Sequence, residues 1–401
     1  MSPATGSPKR SEAFHPAHEP LQHEPALNLE KDRVSGPLPF LNPTRAHFRH
    51  EARPDVRFKW SSRNNRKGRH AIVVAEEQAS AGPATPRATS SLRGIARGVG
   101  RMLTYYPVWD ISFDVAYVFT IGSVIWVINA FFVWLPLVRP ETEFGTEELY
   151  GGGITAFIGA TVFEFGSFLL MAEAVNENRS GCFGWALEQA MSHKAGDIET
   201  GEAKLRPSRS HCTHHHLNKR NLVGTGAPHQ PKEDSPSEAR SWVWWPSKAD
   251  LHTDYIYNLG FLASLAQLCG ASIFWIAGLT ALPGIYNKMS RPVSIVFYWT
   301  PQVVGGLGFI VSGTLFMLET QSKWWKPAPG TLGWWIGAWN LIGGIGFTTC
   351  PAFGYDTSSW AQYQASLSTF WGSWAFLIGS VIQWYESLEK FPVEVQKGDR
   401  I

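Results

Sequence analysis

Long stretches without charge constrain this chain more than any other feature. Between Val115 and Tyr385, residues 115–138, 152–163, 165–172, 255–287, 292–318, 327–355 and 357–385 contain no Asp, Glu, Lys or Arg. Glu164 alone separates the second run from the third. A bilayer core about 30 Å thick needs roughly 20 predominantly apolar residues per crossing helix. The pattern excludes a wholly soluble enzyme and predicts a polytopic membrane protein. Charged residues make up only 17% of the chain, below the roughly 25% usual for soluble domains.

The charge that is present collects in two polar blocks. Residues 1–107 hold 17 Lys and Arg against nine Asp and Glu, with abundant Pro, Ser, Ala and His. A segment this polar offers little apolar surface to offset its chain entropy. Residues 1–107 therefore read as a disordered basic tail, and no cleavable leader pattern opens it. The run Ala71–Ala75 reads either as a local strand or docking peptide, or as an isolated apolar patch. Just before the first span, Arg93, Arg97 and Arg101 recur every four residues, opposite Leu92, Ile95, Val99 and Leu103. That spacing suits an interfacial helix over 92–104 on an anionic leaflet. Gly94, Gly98 and Gly100 weaken it and leave a flexible basic linker as the alternative. The second block, 176–253, carries ten basic and nine acidic residues between Glu177 and Asp250.

Six transmembrane helices are expected, near 115–137, 151–173, 257–281, 296–318, 333–354 and 364–385. They group as hairpins over 108–175, 254–320 and 321–388, with a C-terminal tail over 389–401. The acidic 139–150 segment and the 355–363 loop, which has no basic residue, contrast with the basic ends. The positive-inside rule then places both termini and the 176–253 loop in the cytoplasm.

The even-numbered helices share a motif. The second reads Gly159-x3-Phe163-x2-Gly166-Ser167-x5-Glu173. The fourth reads Gly305-x3-Phe309-x2-Ser312-Gly313-x5-Glu319, and the sixth Gly372-x3-Phe376-x2-Gly379-Ser380-x5-Glu386. The odd helices carry a weaker Gly-to-aromatic spacing in Gly122…Trp126, Gly270…Phe274 and Gly343…Phe347. The chain thus reads as an all-α membrane protein with three parallel two-helix repeats related by an axis along the membrane normal. Steps of 4, 3 and 7 put the shared Gly, Phe, small residue and Glu on one helical stripe. In lipid, small residues permit close helix approach. The stripe therefore reads as a structural seam, with each Glu pairing to a basic residue or to backbone.

The Gly-x3-Phe-x2-Gly-Ser helix, preceded by a second apolar helix, resembles the YrhK-like family of small two-helix membrane proteins. The layout is also similar to fungal-type integral membrane proteins. The resemblance implies an architecture of repeated hairpins and no particular activity. The basic tail and the His-containing loop lie outside it.

Two groups of residues suggest chemistry. Glu164 sits near the middle of an apolar span, where an ionisable group is costly and marks a proton or cation pathway by default. Asn129 and Asn340 are candidate polar partners. The alternative is a neutral carboxyl hydrogen-bonded to a neighbouring helix. The cluster His211, Cys212, His214, His215 and His216 offers ligands suited to zinc, copper or nickel. Cys182 and His193 would complete a set. The spacing matches no structural zinc pattern, and a solvated loop is the simpler reading. The cysteines suggest no disulfide framework. No nucleotide loop, metalloprotease motif or catalytic triad occurs, and the basic tail lacks the aromatic platform of a nucleic-acid binder. The sequence does not identify a cofactor. A membrane scaffold or regulatory component, recruiting partners through its cytoplasmic segments, is the leading expectation. A proton- or cation-coupled transporter or channel using Glu164 is the alternative, ahead of an enzyme.

Overall fold

The computed structural model describes residues 9–21, 27–51, 53–75, 89–184 and 242–396. Within them the apolar runs become long helices. Helices α3 (Ile111–Val138), α4 (Gly153–Val175), α6 (Leu259–Thr280), α7 (Thr300–Glu319), α8 (Leu332–Gly354) and α9 (Ser359–Ser387) make the body of the protein. The short helices α1 (Ser62–Arg66), α2 (Leu92–Thr104) and α5 (Lys248–Thr253) flank them. Local chemistry sets the ends. Asp110 accepts from Ser112 N–H at 2.9 Å to start α3, and Asn258 accepts from the Gly260 N–H at 2.9 Å to start α6. Such caps satisfy amides that the first helical turn leaves without intrahelical partners. A π-helical turn, Glu147–Gly152, leads into α4, and another, Ile295–Trp299, leads into α7.

Five of the long helices are long and apolar enough to cross a membrane: Ile111–Val138, Glu147–Val175, Leu259–Thr280, Arg291–Glu319 and Ser359–Ser387. The chain is accordingly a multi-pass membrane protein by length and composition. Helix α8 has 23 residues, but its Gly and Trp content keeps its hydropathy lower. The long helices contact one another in a closed ring, in the order α3, α4, α6, α7, α8, α9 and back to α3.

Aromatic side chains fill the middle of the ring. Trp126, Phe163, Phe274, Phe309, Phe347 and Phe376 are all buried in one cluster. Their rings meet mostly edge to face, as in Trp126–Phe347 at 4.9 Å and Phe163–Phe376 at 5.5 Å between centroids. That geometry aligns ring edges with ring faces of opposite partial charge. The motif glycines seat these rings. A methyl group on Gly159 would meet the Trp126 indole at 2.9 Å, and one on Gly343 would meet the Phe376 ring at 2.7 Å. Ser167 and Ser380 turn their hydroxyls onto the carbonyls of Phe163 and Leu377. Gly166, Ser312, Gly313, Gly372 and Gly379 are buried in the same interfaces.

The polar ends correct the expectation of an all-α chain with a disordered tail. Strands β1 (Leu27–Leu29), β2 (Arg45–His50), β3 (Arg53–Ser61), β4 (Ala71–Ala75) and β5 (Val393–Gln396) form one sheet in that order. Neighbours are antiparallel except β4 and β5, which run parallel, with Ile72 opposite Val393 and Ala75 opposite Gln396. The residues read as a C-terminal tail thus supply an edge strand, and Ala71–Ala75 is a strand rather than an isolated patch. Composition averaged over 107 residues hid a period-two pattern. Ala46 and Phe48 on β2 and Phe58 and Trp60 on β3 are buried against Val34 and Val393, while the alternating charged residues stay outside that core.

Helix α2 forms as the spacing predicts. Leu92, Ile95, Val99 and Leu103 are all exposed along it. Arg101 anchors it to the end of α9 through Glu389 at 2.9 Å.

Candidate functional site

The most concentrated chemistry lies where the sheet domain meets one end of the helical ring. Helix α1 is a single turn with Ser61 as its cap, accepting from Asn64 N–H at 3.2 Å. It follows directly from β3 and carries Arg63 and Arg66, with Lys67 and Arg69 just beyond. The sheet positions this turn over the helix ends, and all four basic side chains are buried.

Their partners are the three motif glutamates, each almost fully buried. Arg63 donates to Glu386 through Nη2 at 2.6 Å and Nε at 3.3 Å. Arg66 donates to Glu319 through Nη1 at 2.7 Å and Nη2 at 3.0 Å. Both are forked contacts of the kind that planar guanidinium and carboxylate groups favour. Ser62 Oγ adds a bond to Glu319 at 2.7 Å, and Arg69 Nη1 one to Glu386 at 2.9 Å. Glu173 lies 3.3 Å from Lys67 Nζ and 3.7 Å from Arg66 Nε. None of those three groups completes a hydrogen bond to the other at these contacts. The one turn therefore engages α4, α7 and α9 together.

Glycines at the starts of two helices make room for the arginines. A methyl group on Gly260 would overlap the Arg66 guanidinium, and one on Gly333 would overlap the Arg63 side chain. The Lys67 carbonyl accepts from Lys390 Nζ at 2.9 Å, and Lys390 pairs with Asp110 at 2.7 Å. The C-terminal segment thus holds the same loop from the other side.

Burial shapes the electrostatics. It pushes the Lys67 ammonium down to about 8, against the pull of Glu173. For Arg66, burial disfavours the charge but Glu319 and Glu173 outweigh it, and its pKa is raised. Nearby, burial and then Asp254 push the Glu177 carboxyl up to about 7, although Asn65 and Asn258 donate hydrogen bonds to it. Desolvation penalises each ionised form, and only a close opposite charge reverses that.

The sequence candidates fall elsewhere. Glu164 accepts from Ser272 Oγ at 2.7 Å across the α4–α6 contact. It shares the outer face of the ring with exposed Thr161 and Phe165, and does not face the aromatic centre. Asn129 donates to the Gly152 carbonyl at 2.6 Å and to Thr155 at 3.0 Å, and Asn340 donates to the Ile336 carbonyl at 2.9 Å. No hydrogen bond joins Glu164 to either asparagine. His193, His211, Cys212, His214, His215 and His216 lie outside the described residues. Among the described residues no group of three or more His, Cys, Asp or Glu is arranged to hold a metal ion. Cys182 is disulfide-bonded, which corrects the expectation of no disulfide and removes its thiolate from any metal set. Cys269 and Cys350 are free.

The glutamates were visible in the sequence, but their partners were not. The signal was the dense basic run Arg63-x-x-Arg66-Lys67-x-Arg69 facing three glutamates that lack basic neighbours in the spans. No family profile, curated protein or solved structure matches this chain.

Proposed function

We propose that this protein is a non-conducting membrane scaffold: a six-span bundle whose cytoplasmic end is locked to the chain's own folded domain. The carrying observation is the insertion of Arg63, Arg66, Lys67 and Arg69 among Glu173, Glu319 and Glu386. The aromatic cluster blocks the axis of the ring in the middle, and the basic turn covers one end. Such a bundle offers no continuous polar path, and it presents a rigid sheet domain to partners.

Several features support six spans. Strands β4 and β5 are neighbours in one sheet, so the chain enters and leaves the helical body at the same end. That requires an even number of crossings, and α8 occupies a full place in the ring. The three hairpins are parallel repeats about a pseudo-threefold axis, a reading supported by the repeated Gly, Phe and Glu spacing. The excess of basic residues assigns the sheet domain to the cytoplasm. Helix α2 then lies on the anionic leaflet, with Leu92, Ile95, Val99 and Leu103 inserted and Arg93, Arg97 and Arg101 at the headgroups.

Proton and cation flux in proteoliposomes tests the reading. The full chain should give no flux above protein-free vesicles for any imposed gradient. Flux that disappears in Glu164→Gln at matched incorporation would overturn the scaffold in favour of transport.

A further inference from the structure

Beside the basic turn lies a small cavity. It has a volume of about 30 Å3, enough for one or two water-sized bodies. Arg63, Arg66 and Lys67 line it from the side of the sheet domain, and Gln267, Asn340 and Gln383 line it from the helices. No carboxylate is among its lining residues.

Three observations bear on what such a space holds. First, charge is unbalanced. Arg63, Arg66, Lys67 and Arg69 face Glu173, Glu319 and Glu386, which leaves one positive charge over. Lys390 and Asp110 neutralise each other nearby. Glu177 acts on Arg66 from a distance, but it is bonded to Asn65 and Asn258 and does not line the cavity. Second, Lys67 Nζ and Arg66 Nε are buried near Glu173, at 3.3 and 3.7 Å, and complete no hydrogen bond among the described residues. Third, Gln267 and Gln383 are 9% and 8% exposed, line the cavity, and have no hydrogen-bond partner among the described residues. A buried amide without a partner is costly, and such groups are normally satisfied. A surplus positive charge with free amide N–H donors, and no acid in the lining itself, are the elements of an anion site.

We infer that this cavity binds one small monovalent anion of halide size, held between the Lys67 and Arg66 cations and the Gln267 and Gln383 amides. The anion cancels the surplus charge and supplies the acceptor that the two amides lack. The site adjoins the ion pairs of the lock, since Lys67 Nζ and Arg66 Nε also lie 3.3 and 3.7 Å from Glu173. It holds equally for a scaffold or a transporter, since it requires only the described cavity.

Equilibrium binding of radioactive chloride to the full chain in detergent micelles tests the inference, with gluconate balancing the ionic strength. Saturable binding of about one chloride per chain is expected. Gln383→Leu leaves every ion pair in place and should weaken that binding at least about tenfold, the effect of losing a hydrogen bond to a charged group. Lys67→Met should weaken it at least as much. Absence of saturable binding would overturn the inference. Unchanged affinity in a Gln383→Leu protein that elutes as the parent does on gel filtration would also overturn it. If Lys67→Met does not fold, Gln383→Leu decides alone.

Discussion

Replacing Arg66 with Met tests whether the buried ion pairs hold the sheet domain on the bundle. The substitution keeps most of the side-chain bulk and removes the charge. It deletes the two bonds to Glu319 at 2.7 and 3.0 Å and leaves a carboxylate that is 1% exposed with only Ser62 as a donor. Breaking one side of a buried pair costs about 3–5 kcal/mol, mostly the penalty of the charge left behind. At about 1.4 kcal/mol per tenfold change, local opening of the basic turn should rise roughly a hundred- to several-thousandfold. Hydrogen exchange reads this directly at the Lys67 and Arg69 amides, which bond to the Arg63 and Asn64 carbonyls at 3.2 and 2.8 Å. The double variant Arg66→Met with Glu319→Leu removes both charges and should recover most of the lost protection. The reasoning fails if Arg66→Met changes exchange less than about tenfold. It also fails if the double variant is as unprotected as the two single effects combined. The exposed pair Lys59–Glu394, at 2.7 Å, is the control: Lys59→Met should cost less than about 1 kcal/mol.

Three further outcomes are expected. The Glu177 carboxyl is raised to about 7 from an ordinary 4.5 by burial. Its stabilising neutral form is fully present below pH 4.5 and lost as pH rises through 7. Because Glu177 is only half-buried, solvent limits the effect to on the order of 1–2 kcal/mol. Thermal unfolding should show docking weaken as pH rises from about 4.5 to about 7 and level off above that, and Glu177→Gln should flatten that dependence. Gly260→Ala places a methyl group against the Arg66 guanidinium and should cost about 1–3 kcal/mol by overpacking. Gly330→Ala, with open space around it, should change the unfolding midpoint little. Deleting residues 393–401 removes β5 and leaves β4 as a bare edge. Exchange at Ala71–Ala75 should then speed up by at least about tenfold, while the helices of the bundle keep their protection.

Much of the membrane body was legible because its physics is one-dimensional. A helix that crosses lipid must satisfy its own backbone and present apolar side chains for some 20 residues, and both requirements leave a mark in contiguous sequence. The same holds for the Gly, Phe and Glu steps, which recur at fixed helical spacing, and for the amphipathic face of α2. The sheet was not legible in the same way. Its strands are short, its apolar positions alternate within a basic segment, and β5 arrives from the far end of the chain to pair with β4.

The candidate site divides along the same line. The sequence alone determined that three glutamates end three apolar spans and that Glu164 interrupts one of them. Only the tertiary structure decided which of these carboxylates matters to the others. Glu173, Glu319 and Glu386 are separated by up to 213 positions in the chain, yet one helical turn reaches all of them because the ring brings their helix ends together. Glu164, on the outer face, finds only Ser272. Spacing along a helix fixes which residues share a face, but which charge meets which depends on how separate helices and a distant strand are placed. That placement is set by packing of the whole chain.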